Sequence, residues 1–460
     1  MIRLTMLRLD GTKNIRHGTI RLTHDPTIGS VTGIYGPNGT GKTTVIETIR
    51  TLRLLMLGAP LDGEQASMLV QRTPDPHEPR QATIHAEFLI DGTPTAYTVV
   101  LATDGSGLRP ERETITIRKN GARKRTLIDC WMLQNTETGL LTPVTAPAGA
   151  WNSLTATAHT GDYLTQEAAL AHSQHRSLLF SPGLRDRLTR LSGLLHSQTM
   201  LPAARGKALA DNLDPLLHTL TRLNSYAEHG IRTVTTRQAA SVCFGYTPFM
   251  HDGRFDILDI GRPCFVPAGM RMEIDRMIRQ ANTVLPTVIP GLTLHCDMKD
   301  DTDDEGHEGV RVFLYSQHDG TRIPFWAESE GIRRIIGILS LLVRMFNEPD
   351  TLIAVDELDS GIFEILLGDM LRTLANRGLG QLVFTAHNLR VLEVLDRRSI
   401  VFSTTDPDDR FVNPTGVHAG NNLRDMYIRA VSMGDGNGLA SRTVRSHLAV
   451  ALMQAGEDAE

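Results

Sequence analysis

Gly36-Pro37-Asn38-Gly39-Thr40-Gly41-Lys42-Thr43 is the stretch on which the reading of this 460-residue chain turns. It fills every fixed position of GxxxxGK[ST], and Thr44 continues it. The glycines let the backbone turn tightly, so that successive N–H groups point inward and make an anion cradle. Before the cradle, Val31–Tyr35 reads as a short apolar strand. After it, Thr43–Leu57 places Ile46, Ile49, Leu52 and Leu55 at near-helical spacing. A strand that runs through a Gly-rich turn into a helix aims the helix's positive end at whatever the cradle holds. The residue types then assign roles: Lys42 reaches the β- and γ-phosphates, and the Thr43 hydroxyl ligates Mg²⁺.

Three more elements lie toward the other end. Leu352–Val355 is a buried-type apolar strand that ends in Asp356 and Glu357. Open α/β sheets place ligands at such strand ends. Asp356 suits a direct or outer-sphere role on Mg²⁺, and Glu357 suits a general base that polarises the attacking water. The plain alternative is two solvated acids. Gln381–Thr385 is a second such strand, one helix (Ile362–Arg377) later, and Thr385-Ala386-His387-Asn388 stands at its end. His387 reads as a γ-phosphate sensor or as a structural histidine. Finally, Glu328-Ser329-Glu330-Gly331-Ile332-Arg333-Arg334 opens an apolar helix over Gly331–Phe346. Two arginines in a first helical turn oppose the helix dipole. The compensating anion is either Glu328 or Glu330, or a phosphate arriving at the helix N-terminus.

In this order the elements resemble ABC-type ATPases of the RecF, SMC and OLD-like group. The match comprises a Walker A loop at Gly36–Thr43, a signature at Ser329-Glu330-Gly331, a Walker B ending in Asp356-Glu357, a D-loop at Leu358-Asp359-Ser360 and a switch at His387. It covers about residues 1–130 and 310–405. The resemblance implies an α/β P-loop NTPase head that binds and hydrolyses ATP with Mg²⁺ held by Thr43 and Asp356. It implies that two heads dimerise around two ATPs, with Ser329 and Gly331 meeting the γ-phosphate bound at Lys42 of the other copy and Asp359 crossing the interface. It also places Lys13 and Asn14 at a short basic nucleotide-contacting loop and the Mg²⁺-linked glutamine at Gln134. The signature departs from the group's pattern, reading ESEG where LSGG is usual.

The rest of the chain narrows the kind of head. Between Thr43 and Ser329 lie 286 residues with several prolines and no sustained heptads, which excludes long coiled-coil arms. Only 73 residues follow His387, too few for a metal-binding Toprim domain, and Asp406-Pro407-Asp408-Asp409 reads as an exposed turn. Ala82–Asp129 reads as an antiparallel meander of about four strands, with Asp91-Gly92, Asp104-Gly105 and Asn120-Gly121 as turns. Ile2–Leu9 and Thr19–Thr23 read as strands around a turn region at Gly11–Gly18. Ser153 to about Glu228 favours helices, and Pro215 is expected to kink or split one of them. The acidic run Lys299–Glu308 reads as an exposed loop. The expected organisation is a first ATPase lobe over 1–145, a mixed helical insertion over 146–300, a second lobe over 301–434 and a flexible tail over 435–460.

Composition sets the outer bounds. The chain is 41% hydrophobic and 22% charged with a net charge of −5, which excludes wholesale disorder and a strongly basic nucleic-acid protein. Cys130, Cys243, Cys264 and Cys296 are scattered, with no CxxC pair and no zinc spacing, which reads as a reduced cytoplasmic protein. No signal peptide and no membrane-length apolar run is visible. Two roles follow for such a head. Compact members of the group commonly form the ATPase half of phage-defence systems, acting as a switch for a separate effector protein, and this is family analogy. The alternative is a RecF-like ATPase that binds DNA directly through Arg118, Lys119, Arg123, Lys124 and Arg125. A third reading is a nucleotide-gated binding module with negligible turnover, against which an intact Glu357 counts.

Overall fold

The computed structural model of the chain describes residues 1–61, 69–70, 81–103, 107–118, 123–134, 141–155, 160–197, 203–235, 249–251, 254–256, 262–303, 306–414, 423–433, 450–451 and 453–455. Cys243, Lys119 and most of the tail from 435 lie outside the described residues. The chain opens with β1 (Ile2–Thr12), β2 (Ile15–Arg21), β3 (Ser30–Tyr35) and α1 (Lys42–Leu57). A run of strands follows: β4 (Gln81–Ile90), β5 (Thr93–Thr103), β6 (Leu108–Ile117), β7 (Arg125–Gln134) and β8 (Leu141–Ala146). These join β1 and β2 in a seven-stranded sheet, order β2-β1-β4-β5-β6-β7-β8, with every pairing antiparallel. The alternation seen in the sequence is the reason. In β4, Ala82, Ile84, Ala86, Phe88 and Ile90 are buried and the residues between them are not, so one face packs and the other is wetter. The span Gly11–Gly18, expected as a turn region, is mostly strand: Thr12 pairs with Ile15, and the turn is only Lys13-Asn14.

Four helices come next: α2 (Ala148–Thr155), α3 (Thr160–Ser173), α4 (Pro182–His196) and α5 (Ala203–Ser225). Pro215 does not split α5. A proline removes the N–H that would bond the carbonyl four residues back. Here the Arg125 guanidinium donates to that carbonyl, of Asp211, at 3.3 Å, and also to Asn212 Oδ1 at 2.6 Å.

The second sheet carries the cradle. Its strands are β3, β9 (Ile231–Val234), β16 (Leu352–Val355), β17 (Gln381–Thr385), β18 (Ile400–Ser403) and β19 (Phe411–Val412), in the order β19-β18-β3-β17-β16-β9. All pairs are parallel except β18 with β19. Both faces are covered, which is why these strands read as continuous apolar runs. Leu352, Ala354, Val383 and Val401 face the core shared with α1 and the first sheet. Ile353, Val355, Leu382 and Phe384 face the opposite core, with α7 (Glu330–Asn347) and α8 (Glu364–Arg377). β9 falls inside the span 146–300 read as an insertion, yet it is the edge strand of this sheet, and the Asp356 N–H donates to its Val234 carbonyl at 2.8 Å.

The third sheet is small: β12 (Cys264–Pro267), β13 (Leu292–Thr302) and β14 (Glu308–His318) in the order β12-β14-β13, with β15 (Thr321–Pro324) also on β14. Among the described residues, β10 (Phe249–His251) and β11 (Arg254–Asp256) form a separate pair. Within the run Lys299–Glu308, Lys299–Thr302 ends β13 and Glu308 opens β14, so these residues are strand rather than loop, and the boundary drawn at 300/301 cuts a strand. Its acids are strand-compatible because cations offset them: Arg311 pairs with Asp301, and Arg271 of α6 (Arg271–Val288) pairs with Asp300. α7 lies between two cores. Ile335, Ile338, Leu341 and Leu342 pack on the second sheet, while Ile336 and Leu339 pack with α6 and the third sheet.

One side chain stitches the first two sheets together. Gln381 is fully buried, donates through Nε2 to the Leu4 carbonyl at 2.9 Å and accepts the Leu4 N–H at Oε1 at 2.9 Å. Leu4 sits at an irregularity of β1, between Leu4 and Met6. Gln381→Leu orphans two buried backbone groups at about 1–3 kcal/mol each. The variant is expected to lose about 2–6 kcal/mol of unfolding free energy in urea titrations. A wild-type midpoint would contradict this role for the glutamine.

Candidate nucleotide site

α1 starts at Lys42, directly out of the Gly-rich turn. Gly41 before it has φ +88°, a conformation that other residues adopt only with strain. The first turn of α1 holds no acidic residue, so no side chain of the helix itself compensates its positive end. The loop is braced from within. Thr40 donates to the Pro37 carbonyl at 2.7 Å and shares a hydrogen bond with Ser403 Oγ at 2.6 Å. Lys42 donates to the carbonyls of Gly36 and Pro37 at 2.8 and 3.0 Å. Gly36, Pro37 and Thr40 thus shape the loop.

A cavity of about 440 Å³ opens in front of it. Asn38, Gly39, Gly41, Lys42, Thr43 and Thr44 form one wall, and Asp356, Glu357, Thr385 and His387 the other. Lys13 and Asn14 of the β1–β2 turn close a third side. The Asn14 side chain donates to the Gly39 carbonyl, and Lys13 is ion-paired with Glu47. Three carboxylates, of Asp356, Glu357 and Asp359, act on Lys42, but burial dominates and holds its ammonium below the ordinary lysine range. Gln134 is not among the lining residues: it ends β7, and β4, β5 and β6 stand between that strand and β1.

Asp356 is buried, and its Oδ1 accepts the Thr43 hydroxyl at 3.2 Å and the Thr385 hydroxyl at 2.7 Å. A hydroxyl and a carboxylate oxygen at that separation suit a hard cation, since neighbouring oxygens on Mg²⁺ lie about 2.9 Å apart. Among the described residues, no three His, Cys, Asp or Glu group into a stand-alone metal site. Mg²⁺ held by few protein groups characteristically completes its shell with water and substrate phosphates. Glu357 follows with φ +50°, an uncommon conformation for a non-glycine residue. Its N–H donates to Thr385 Oγ1 at 2.7 Å, and its carbonyl accepts from Arg334 at 2.6 Å. Strain of this kind persists where the surroundings over-determine it.

Arg334 answers the dipole question in a way the sequence reading did not weigh. It is buried, and its guanidinium donates to the carbonyls of Asp356 (2.8 Å) and Glu357 (2.6 Å) rather than to Glu328 or Glu330. Glu328 instead accepts from Ser316, from His318 at 2.9 Å when that nitrogen carries the proton, and from the Ser329 N–H at 3.3 Å. Thr385 is the other contributor that sequence reading missed. The available signal was a hydroxyl directly after the apolar run Leu382–Phe384, because a buried hydroxyl needs a partner.

Of the remaining predicted residues, His387 lines the cavity, whereas Ser329, Gly331 and Asp359 are not among its lining residues. Ser329 is the N-cap of α7 and accepts the Ile332 N–H at 3.3 Å. Asp359, expected to reach another copy, accepts the N–H groups of His387 and Asn388 within its own chain at 2.8 and 2.7 Å. His387 is exposed at the cavity wall. Gly331 is required by close backbone approach: a Cβ there would stand 2.2 Å from the Gly361 carbonyl oxygen. Overpacking of this kind costs about 1–3 kcal/mol. Gly331→Ala is therefore expected to lower the melting temperature and displace the Asp359–Gly361 turn; unchanged melting and unchanged ATP turnover would contradict it.

No family model matches the chain, and no curated protein matches it. Among solved structures, an Smc head domain from Pyrococcus furiosus, with an extended coiled coil and bound to the C-terminal domain of ScpA, aligns at 12% identity and TM-score 0.42, covering 90% of this chain and 96% of that one. An Smc head domain with a coiled coil and joint from Pyrococcus yayanosii aligns at 11% identity and TM-score 0.42, covering 94% and 100%. The SMC head domain from Thermotoga maritima aligns at 14% identity and TM-score 0.37, covering 90% and 99%. At such identities and with TM-scores of 0.37–0.42, the assignment of the site rests on its own geometry.

Proposed function

We propose that the chain is an ABC-type ATPase head that binds ATP with Mg²⁺, hydrolyses it, and closes as a pair of copies while ATP is bound. The observation that carries this reading is convergence. Segments more than 300 residues apart in sequence, Asn38–Thr44 and Asp356–His387, wall one cavity with a phosphate-type cradle, a cation-type oxygen pair and a carboxylate beside it. Lys42 exchanges its two carbonyl partners for phosphate oxygens and neutralises charge that develops on them. Thr43 and Asp356 hold Mg²⁺, which supplies electrostatic stabilisation to the transferring phosphoryl group when bound. Glu357 takes a proton from the attacking water. His387, exposed on the wall, donates toward the terminal phosphate. Ser329 and Gly331 lie outside the cavity of their own copy, in keeping with service to a second copy's nucleotide.

The head acts as a switch for a separate effector protein in phage defence; this part rests on family analogy alone. A pull-down from host lysate with Glu357→Gln and ATP tests it. A partner retained with ATP and lost with ADP supports the switch, and recovery of nothing beyond the chain itself counts against it. Direct DNA binding has less support. Arg118, Arg123, Lys124 and Arg125 are all exposed, but the Arg125 guanidinium is held by Asp211 and Asn212 of α5. ATP-dependent DNA retention that falls steeply with salt would restore that reading.

A further inference from the structure

The end of β17 contains a group whose two hydrogen bonds join the two halves of the proposed chemistry. Thr385 is fully buried. Its Oγ1 donates to Asp356 Oδ1 at 2.7 Å and accepts the Glu357 N–H at 2.7 Å. A hydroxyl has one proton, so donation to the carboxylate and acceptance from the amide fix its orientation completely. The same residue's carbonyl accepts the Leu358 N–H at 2.9 Å, so side chain and backbone together span residues 356, 357 and 358. Glu357 stands at φ +50° between this hydroxyl and the Arg334 guanidinium on its carbonyl. Two residues after Thr385 comes His387, on the same cavity wall.

We infer that Thr385 is a positioning residue: its hydroxyl sets the rotamer of the carboxylate that holds Mg²⁺ and, through the Glu357 amide, the placement of the general base. The inference rests on the nucleotide reading of the cavity. It goes beyond that reading by assigning the register between cation and base to a residue to which that reading gives no role. Valine has the shape of threonine without the hydroxyl, so Thr385→Val removes both bonds, the one to Asp356 Oδ1 being shorter than the Thr43 contact at 3.2 Å. Serine keeps the hydroxyl.

The test is Mn²⁺ uptake in the presence of ADP, followed by electron paramagnetic resonance, beside ADP affinity in EDTA and kcat and KM for ATP, on full-length wild type, Thr385→Val and Thr385→Ser. Loss of a group that orients a metal ligand typically costs 10–100-fold in metal affinity or activity. Thr385→Val is therefore expected to weaken Mn²⁺ uptake by about 10–100-fold and to lower kcat by a similar factor. KM for ATP and the metal-free ADP affinity stay near wild type, and Thr385→Ser restores Mn²⁺ uptake and kcat. A merely structural role would move ADP affinity in EDTA along with the rest, and that result overturns the inference. So does wild-type Mn²⁺ uptake by Thr385→Val, or a folded Thr385→Ser that fails to recover it. A wild-type chain that takes up no Mn²⁺ with ADP overturns the nucleotide reading, and this inference with it.

Discussion

Glu357→Gln is expected to cut ATP turnover by about 10²–10⁴-fold, the usual contribution of a positioned general base. Glutamine matches glutamate in size but does not take up the water's proton. The backbone that places the side chain is held from both sides, by Thr385 on the N–H and Arg334 on the carbonyl, and neither contact involves the side chain being changed. Binding should therefore survive while hydrolysis fails, and the ATP-bound pair of copies should accumulate. Phosphate release and light scattering on the same sample measure the two effects. A variant that keeps more than about a tenth of the turnover would mean that Glu357 is not the base.

Lys42→Met is expected to have opposite effects on binding and on stability. Charge-assisted hydrogen bonds from an ammonium contribute about 1.5–3 kcal/mol each. Losing those to the terminal phosphates should weaken ATP binding by about 100-fold or more, read by anisotropy of a fluorescent ATP analogue. The empty protein should melt no lower than wild type. Lys42 is buried, and burial holds its pKa below the ordinary value, so the folded chain binds this proton less tightly than the unfolded chain does. Between the lowered pKa and the ordinary lysine value, the unfolded state carries more protons, so the lysine's contribution to stability improves as pH rises through that window. Below the lowered pKa, the buried cation is a constant cost that methionine of similar volume removes. A melting temperature several degrees under wild type, or undiminished ATP binding, would contradict this account of Lys42.

How much of this was legible beforehand depended on whether local chemistry or distant packing decided the matter. The turn at Gly36–Thr43 and the acids ending β16 could be read because phosphate and cation chemistry leaves little freedom in residue type or spacing. The buried parallel strands were legible because two covered faces force continuous apolar runs. Arg334 was flagged as an anomaly, but its partners are backbone carbonyls 22 and 23 residues away, and carbonyls carry no residue code. Thr385 was quoted as part of a motif without a role, since its partners belong to another strand's end. β9 was assigned to the insertion because four residues carry no period, and only pairing with β16 shows where they belong. Asp300 and Asp301 were misread as loop because arginines on α6 and β14, invisible to a local count of charge, make them compatible with a sheet. Likeness directed Asp359 to another copy, and within the single chain it also accepts the backbone N–H groups of His387 and Asn388, partners that sequence carries no sign of.

The central claim is that the cavity between Lys42 and Glu357 hydrolyses ATP. Phosphate release from ATP by the purified chain, in Mg²⁺ and again in EDTA, with wild type beside Glu357→Gln, tests it most directly. The account predicts turnover that requires Mg²⁺ and falls by at least about 100-fold in the variant. Equal release from the two proteins, or release that persists in EDTA, would contradict it.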